Sequence, residues 1–142
     1  MNIKKKYNIE ELLFRRQFIL GPYFMDAFPS WNKIKISDLF CLTVHPELNV
    51  SQTVQGDKSI TLLGFILDPD NEQARDKDIL NDLMQKLNAH ESLDSFFQYT
   101  YPLGGRWILI VDNGKRTVLF HDPMGLREVF FTNRHFEKEL WC

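Results

Sequence analysis

Two stretches of the chain are apolar at nearly every position, and both predict strands that are covered on two sides. One is Ser59–Leu67, with Gly64 in its middle, and the other is Trp107–Asp112. A strand that is apolar on both faces must be packed on both faces, so we expect these two inside a layered sheet. A glycine within such a strand indicates a bulge or the close approach of another backbone.

The segment that follows Trp107–Asp112 predicts two tight turns and two more strands. Asn113-Gly114 is the dipeptide best suited to a two-residue type I′ turn, because both central residues need positive φ. Lys115–His121 then returns as a strand, and a turn at Asp122–Gly125 leads into a third strand at Glu128–Thr132. The pattern predicts a three-stranded meander around which the rest of the chain is arranged.

A long helical period occurs at Asp76–Asn88, where the apolar side chains fall at i, i+1, i+4, i+5 and i+8 and share one stripe. They are Ile79, Leu80, Leu83, Met84 and Leu87. Shorter helices are expected at Asn8–Arg16 and Ser92–Tyr99. The aromatic segment 23–33 is expected to be a loop that packs Phe24, Phe28 and Trp31 inward. Further strands are expected at Gln17–Leu20, Lys33–Ser37, Leu39–Val44 and Ser51–Gln55, the last a polar edge-type strand.

This order of strands, helices and strands predicts an α+β fold with mainly antiparallel sheets. The chain has 142 residues, of which 44% are hydrophobic, and this suits one domain with one core. Twelve Phe, four Tyr and three Trp favour packed sheets over a helical bundle. We therefore expect a single domain over residues 1–142.

Charge and cysteine content exclude several classes of protein. A formal net charge of −2 gives no attraction toward nucleic acid. The chain has no apolar run of transmembrane length, and its N-terminal lysines are not followed by the apolar core of a signal peptide. Cys41 and Cys142 form neither a disulfide framework nor a metal-ligand spacing. These features predict a cytoplasmic protein with no nucleic-acid or membrane partner.

The sequence of residues 122–132, DPMGLREVFFT, resembles the RDxxGxxPLYY signature of the glutamine amidotransferase domain of asparagine synthetase. In that family the signature follows a G-x-(F/W)-apolar strand that ends in Asp, and residues 105–112 are similar to that strand. The resemblance extends over roughly Ser59–Thr132. It implies the Ntn-hydrolase fold, in which two stacked antiparallel sheets lie between helical layers in an αββα arrangement.

Alignment with the family's other motifs implies that this chain lacks the family's catalytic residues. Family members hydrolyse glutamine with a cysteine directly after the initiator Met, whereas this chain has Asn2. The family's Asn-Gly-Glu motif, which supplies an oxyanion-hole amide and a substrate contact, matches Leu63-Gly64-Phe65, where only the glycine is present. Its Ser-Asp-x-Glu motif, whose Asp binds the substrate's α-amine, aligns with Ala74-Arg75. Asp76 or Asp78 replaces that Asp only with a shift in the alignment.

Residues outside these motifs also indicate no site. Cys41 is interpreted as a small hydrophobic residue of a buried strand, and Cys142 as an exposed thiol. His121 and Asp122 are adjacent on a strand and so point to opposite faces, and Asp122 is expected to cap its turn. No two His have metal-ligand spacing, and no glycine-rich phosphate loop opens a helix. We therefore assign no catalytic, cofactor-binding or metal-binding residue.

The hypothesis that follows is a catalytically silent glutamine amidotransferase-like domain. It would support an ATP-dependent, asparagine-synthetase-like amide-forming domain, in the same chain or in a separate subunit. The apolar end at Leu140–Cys142 is interpreted as a cut through a longer chain. Two alternatives stay open: a free-standing module that binds a synthetase subunit or a peptide at a strand edge such as Ser51–Gln55, and a glutamine amidohydrolase with an altered nucleophile. A second copy of the chain also stays open as a partner.

Overall fold

The fold is defined by a computed structural model that describes residues 13–90, 92–132 and 140–141. Every strand pairing among these residues is antiparallel. The strands are β1 (Phe18–Gly21), β2 (Asn32–Lys35), β3 (Cys41–Val44), β4 (Val50–Gln55), β5 (Lys58–Leu67), β6 (Gly104–Asp112), β7 (Thr117–His121), β8 (Phe131–Thr132) and β9 (Leu140–Trp141). The helices are α1 (Asp76–Ala89) and α2 (Leu93–Phe97). An α+β fold with mainly antiparallel sheets is thereby confirmed.

The described residues fall into two compact units. The first unit takes its residues from 1–35, 39–48 and 130–142 and contains a sheet of order β2-β3-β1-β9-β8. The second unit consists of 36–38 and 49–129 and contains a sheet of order β4-β5-β6-β7. The stacked αββα layers and the single domain over residues 1–142 stay predictions.

The core of the first unit contains side chains of β1 and β3 together with one tryptophan from the loop between β1 and β2. The strand side chains are Phe18, Leu20, Leu42 and Val44, all nearly inaccessible to solvent. Trp31 is 4% exposed and stacks on Phe28 with ring centroids 4.3 Å apart. Its other neighbour is the buried His45, which meets the indole edge to face. The inward packing predicted for this segment is confirmed for Trp31, whereas Phe24 and Phe28 are only half-buried.

Residues 13–16 form a turn, which corrects part of the predicted N-terminal helix. Phe14 and Arg16 both have φ of 59°, in the left-handed region. A right-handed helix needs negative φ at every residue, so a helix cannot run through these positions. The predicted helix at Asn8–Arg16 is therefore wrong at its end, and its start, residues 8–12, lies outside the described residues.

In the second unit, both helices contribute to a core on one face of the four-stranded sheet. All five side chains of the predicted stripe on α1 are buried. They pack against alternate residues of the two central strands, which are Ile60, Leu62 and Ile66 of β5 and Trp107, Leu109 and Val111 of β6. Burying one such side chain stabilises a fold by roughly 1.5–3 kcal/mol. The predicted helix at Asp76–Asn88 is confirmed and ends one residue later, at Ala89.

Helix α2 is shorter than predicted, and strand β4 is one residue longer than predicted. Helix α2 begins where Ser92 accepts the amide hydrogen of Ser95 on its hydroxyl, and it ends at Phe97 rather than Tyr99. Strand β4 lies at the edge of its sheet, as the polar sequence predicted. Its connection to β5 is a two-residue turn at 56–57, because Gln55 pairs with Lys58.

The connection between β6 and β7 is a four-residue loop and not the predicted two-residue turn. Asp112 pairs with Thr117, and Gly114 is the loop residue with positive φ, whereas a type I′ turn needs positive φ at both centres. The physical reason is competition for backbone amides. The Asp112 carboxylate accepts the Gly114 amide hydrogen, and the Asn113 side chain accepts two further amide hydrogens of the loop.

The predicted third strand at Glu128–Thr132 does not extend the sheet beyond β7. Only residues 131–132 are in a strand, and this strand, β8, pairs with β9 in the five-stranded sheet of the first unit. The turn at Asp122–Gly125 is confirmed, since the Gly125 amide donates to the Asp122 carbonyl oxygen at 2.9 Å. The three-stranded meander was therefore wrong in its last strand, and β9 was not predicted.

A surface ion pair gives the first unit a pH dependence that can be measured. The Arg15 guanidinium donates to Glu47 and holds the pKa of that carboxyl below its ordinary value, with partial desolvation opposing the effect. A carboxyl whose pKa is lower in the folded state stabilises the fold above its unfolded pKa, and this contribution is lost as pH falls through the folded pKa.

We expect Arg15→Ala to raise the pKa of Glu47 toward its ordinary value, measured by NMR titration of the Glu47 side chain. Lys33→Ala is the control, because Lys33 pairs with Asp26. An unchanged pKa in the Arg15 variant would contradict this assignment.

Candidate functional site

Two glycines, one in β5 and one in β6, lie where a side chain would meet the backbone of the opposite strand. Gly64 has φ of +102° and Gly105 has φ of +109°. A Cβ added at Gly64 would lie 2.2 Å from the Arg106 carbonyl oxygen, and one at Gly105 would lie 2.5 Å from the Phe65 carbonyl oxygen. Each glycine therefore admits the backbone of the opposite strand where any side chain would clash. The close approach predicted at Gly64 is confirmed, and we call this pair the glycine contact.

Backbone donors at the glycine contact are already used in hydrogen bonds. The Gly64 N–H donates to the Asn49 carbonyl oxygen at 2.9 Å. The Ile66 N–H donates to Asp76 Oδ1 at 3.1 Å. An oxyanion hole needs donors aimed at the position where the substrate oxygen becomes negative. Neither of these two amides meets that requirement.

Side chains beside Gly64 supply no polar group to replace those donors. Leu63 is fully buried, and Phe65 is 48% exposed. In the motif that this stretch resembles, the two positions hold an amide and a carboxylate. Leu63 and Phe65 are hydrocarbon side chains and so offer no side-chain hydrogen bond at either position.

The acidic residues at the start of α1 have structural roles. Asp76 accepts the Ile66 amide and so ties the helix to β5. Asp78 accepts the Arg75 amide at 3.0 Å, which satisfies a backbone donor at the helix N-terminus. Ala74, which the resemblance aligns with a serine, is half-buried against the core. The carboxylates considered as replacements for the family's substrate-binding Asp are therefore both engaged with backbone amides.

The signature turn after β7 is organised by one buried carboxyl group. Asp122 is 1% exposed, and its Oδ1 accepts the amide hydrogens of Met124 and Leu126, both at 3.1 Å. Gly125 follows with φ of +62°, which suits the glycine of the signature. The capping role predicted for Asp122 is confirmed.

Arg127, which follows this turn, places its side chain beside Gly64 of the glycine contact. Its Nε atom lies 3.2 Å from the position that a Cβ would occupy at Gly64. The guanidinium therefore lies against the glycine from a third segment of the chain. The structure thus brings together the glycine and the signature turn, which lie about sixty residues apart in sequence.

Other candidates named from the sequence do not assemble into a site. His121 is exposed, and its Nδ1 lies 2.8 Å from the backbone carbonyl oxygen of Asp122, so the two side chains do not form a pair. Cys41 is half-buried at the start of β3 and is a free thiol, which corrects the expectation of a fully buried residue. Asn2 and Cys142 lie outside the described residues. No group of three or more His, Cys, Asp or Glu able to hold a metal occurs within 13–90 and 92–132.

A pocket that the sequence did not indicate lies at the other end of β6. It is open, has a volume of about 330 Å³, and involves residues of α2 and of the loop before β7. Its lining consists of Ser92, Leu93, Asp94, Asn113, Lys115 and Arg116. Ser92 is engaged there as the cap of α2, and the charged groups are of both signs. The pocket is built from two distant segments, so no local motif could have signalled it.

Comparisons of the chain with protein-family models, with curated proteins and with solved structures found no match. Among the described residues, no helix is both long and apolar enough to cross a membrane.

The glycine contact makes a stability prediction with an internal control. We expect Gly64→Ala to lower the free energy of unfolding by roughly 3 kcal/mol or more, because it adds backbone strain at positive φ to a clash with a carbonyl oxygen. Gly56→Ala is the control for a glycine in the ordinary left-handed region, since Gly56 has φ of +60° and no atom within 4 Å of the added Cβ, and should cost about 1 kcal/mol. Urea unfolding followed by circular dichroism measures both. Equal losses for the two variants would show that the contact contributes nothing beyond φ strain.

Proposed function

We propose that this chain is a catalytically silent glutamine amidotransferase-like domain. Its role is to support an ATP-dependent, asparagine-synthetase-like domain that forms amides, in the same chain or in a partner subunit. The observation that carries the proposal is the state of the Gly64 N–H, which donates to Asn49 and is unavailable to a substrate. The resemblance in sequence is the basis for proposing this family, and the hydrogen bonds beside the glycine contact support the proposed loss of its chemistry.

The expected loss of glutaminase activity is large. Removing a single oxyanion donor costs an enzyme about 10²–10³ in rate. Here the amide at Gly64 is occupied, the neighbouring positions are Leu63 and Phe65, and Asn2 replaces the nucleophile. Residues that act as one catalytic unit are not additive, so repair of one member restores little while the others are missing. A site in this condition has no route to an acyl-enzyme intermediate.

Structural features of the signature are nevertheless present. Asp122 caps the signature turn, and the glycine contact holds β5 against β6. These features stabilise a sheet and a turn and take no part in bond breaking. A domain that has the framework without the reactive groups suits a supporting role toward a second domain.

A second candidate function is supported by the edge position of β4. The Gly64 N–H donates to the Asn49 carbonyl, so Asn49 is a hydrogen-bonded residue of the β4–β5 ladder. In an antiparallel ladder alternate residues bond to the neighbouring strand, so the N–H and C=O groups of Val50 and Val54 point away from β5. Val54 is also 59% exposed. An extended peptide could add a strand at this edge, as in β-augmentation. This supports a binding module that works beside a synthetase subunit as the alternative.

Incubation with glutamine tests the loss of chemistry directly. We expect the native protein to release no glutamate above a protein-free blank, with an active glutaminase as positive control. We expect the same of Asn2→Cys after removal of the initiator Met, because a restored thiol still faces an occupied amide at Gly64.

The outcomes of this assay separate the hypotheses. Steady turnover by the native protein would establish an amidohydrolase with an altered nucleophile, and loss of that turnover in Cys41→Ala would then identify the nucleophile. Turnover by Asn2→Cys alone would leave the native protein silent but would refute the argument that the Gly64 amide is unavailable.

The supporting role is tested by the size of the protein in its source cells. We expect an antibody against this chain to detect a polypeptide well above 16.8 kDa, or a chain of that size that co-purifies with an ATP-using subunit. The first result places the synthetase domain in cis, and the second places it in trans. A free chain of 16.8 kDa without such a subunit contradicts the supporting role, and co-purification of a peptide instead favours the binding module.

A further inference from the structure

The loop between β6 and β7 contains a dipeptide with its own chemistry. An asparagine followed by glycine can lose ammonia spontaneously, because glycine has no side chain to hinder attack by its backbone nitrogen. We propose that Asn113 is a latent deamidation site and that the folded loop protects it. This modification is independent of the proposed function.

The covalent step is balanced without any cofactor. The Gly114 nitrogen loses its proton and attacks Cγ of Asn113, forming a five-membered succinimide, and the side-chain nitrogen leaves as ammonia. Water then opens the ring at either carbonyl and leaves aspartate or isoaspartate at position 113. Either product adds a negative charge beside Asp112, and isoaspartate also lengthens the backbone of the loop.

Asp112 accepts a hydrogen bond from the Gly114 N–H, whose proton must leave before the nitrogen can attack. The Gly114 N–H donates to Asp112 Oδ1 at 2.8 Å, and the other carboxylate oxygen accepts from the Thr117 hydroxyl. Asp112 is 7% exposed, so its carboxylate is fixed in place largely away from water. A carboxylate in this position keeps the amide hydrogen engaged and opposes the negative charge that would develop on the Gly114 nitrogen.

The Asn113 side chain is held pointing along the loop. Its Oδ1 accepts the amide hydrogens of Lys115 at 3.0 Å and Arg116 at 2.9 Å. The Asn113 amide in turn donates to the Arg116 carbonyl oxygen at 3.2 Å. Closing the succinimide ring requires the Asn113 side chain to turn toward the Gly114 nitrogen, which gives up the two bonds to Oδ1.

Asp57 further restricts movement of the glycine. A Cβ at Gly114 would lie 2.2 Å from Asp57 Oδ2, so the turn between β4 and β5 packs directly against the loop. Attack on Asn113 therefore requires local opening of a loop that is held by hydrogen bonds on one side and by this contact on the other. The rate of deamidation should follow the population of the open loop.

The experiment compares deamidation of the native protein with that of the protein unfolded in urea, in the same mildly alkaline buffer. Trypsin releases residues 107–115 as one peptide in which Asn113 is the asparagine, and mass spectrometry measures the replacement of its amide by a carboxyl group. We expect the native protein to react at least about ten-fold more slowly than the unfolded one, because reaction needs the open loop. Asn81, which is followed by Asp82 in the tryptic peptide 78–86, is the internal control and should react slowly in both states.

Two variants test the role of the carboxylate. Asp112→Ala removes the acceptor of the Gly114 amide and should speed reaction of the native protein toward the unfolded rate. Thr117→Val is the matched control, because it removes the other bond to Asp112 and leaves the bond to Gly114 in place. Urea unfolding confirms that each variant is folded under the conditions used.

Equal rates in native and unfolded wild-type protein would overturn the proposal. A faster rate in the native state would overturn it as well, because it would show that the folded loop promotes ring closure. A folded Asp112→Ala protein that reacts no faster than wild type would refute protection by the carboxylate.

Discussion

The close approach of β5 and β6 at Gly64 and Gly105 is the constraint on which the second unit depends. Each glycine lies against a carbonyl oxygen of the opposite strand, so neither position tolerates a side chain without displacement of the backbone. Two other segments are attached at the same place. Helix α1 is bonded to β5 through Asp76 and the Ile66 amide, and Arg127 from the signature turn lies against Gly64. This part of the sheet therefore joins two strands, a helix and a turn.

Elements with a strong local period could be predicted from the sequence, while those fixed by pairing between distant segments could not. Helix α1 was found because its apolar stripe repeats over three turns, and β5 because it is apolar on both faces. The two-residue strands β8 and β9 are too short to show any period, and only their mutual pairing defines them. The loop after β6 was misjudged for a different reason. Asn113-Gly114 favours a tight turn on its own, but the side chains of Asp112 and Asn113 capture the amides that such a turn would leave exposed.

In the candidate site, too, the residues could be identified from the sequence, but their hydrogen-bond partners could not. The sequence sufficed to single out Gly64, Asp76 and Asp122, since each stands at or next to a position of a motif. What each residue does depends on partners that no motif specifies. The Gly64 amide is occupied because the register of β4 on β5 places Asn49 opposite it, and that register is set by pairing along the whole hairpin. The position of Arg127 against Gly64 follows from the path of the chain after β7 and has no local signal.

The backbone amides at Gly64 and Ile66 are already bonded within the fold, and this supports the proposed supporting role as much as the missing residues do. A backbone N–H can hold a neighbouring strand, or it can stabilise a developing oxyanion, and one donor at full geometry does not do both. At Gly64 the donor holds the chain beside β5, and at Ile66 it holds helix α1. Freeing either amide for a substrate would weaken the attachments that give this unit its structure. Under the proposed function, structure and amidotransferase chemistry would compete for the same hydrogen bonds, and the Gly64 and Ile66 amides both bond within the fold.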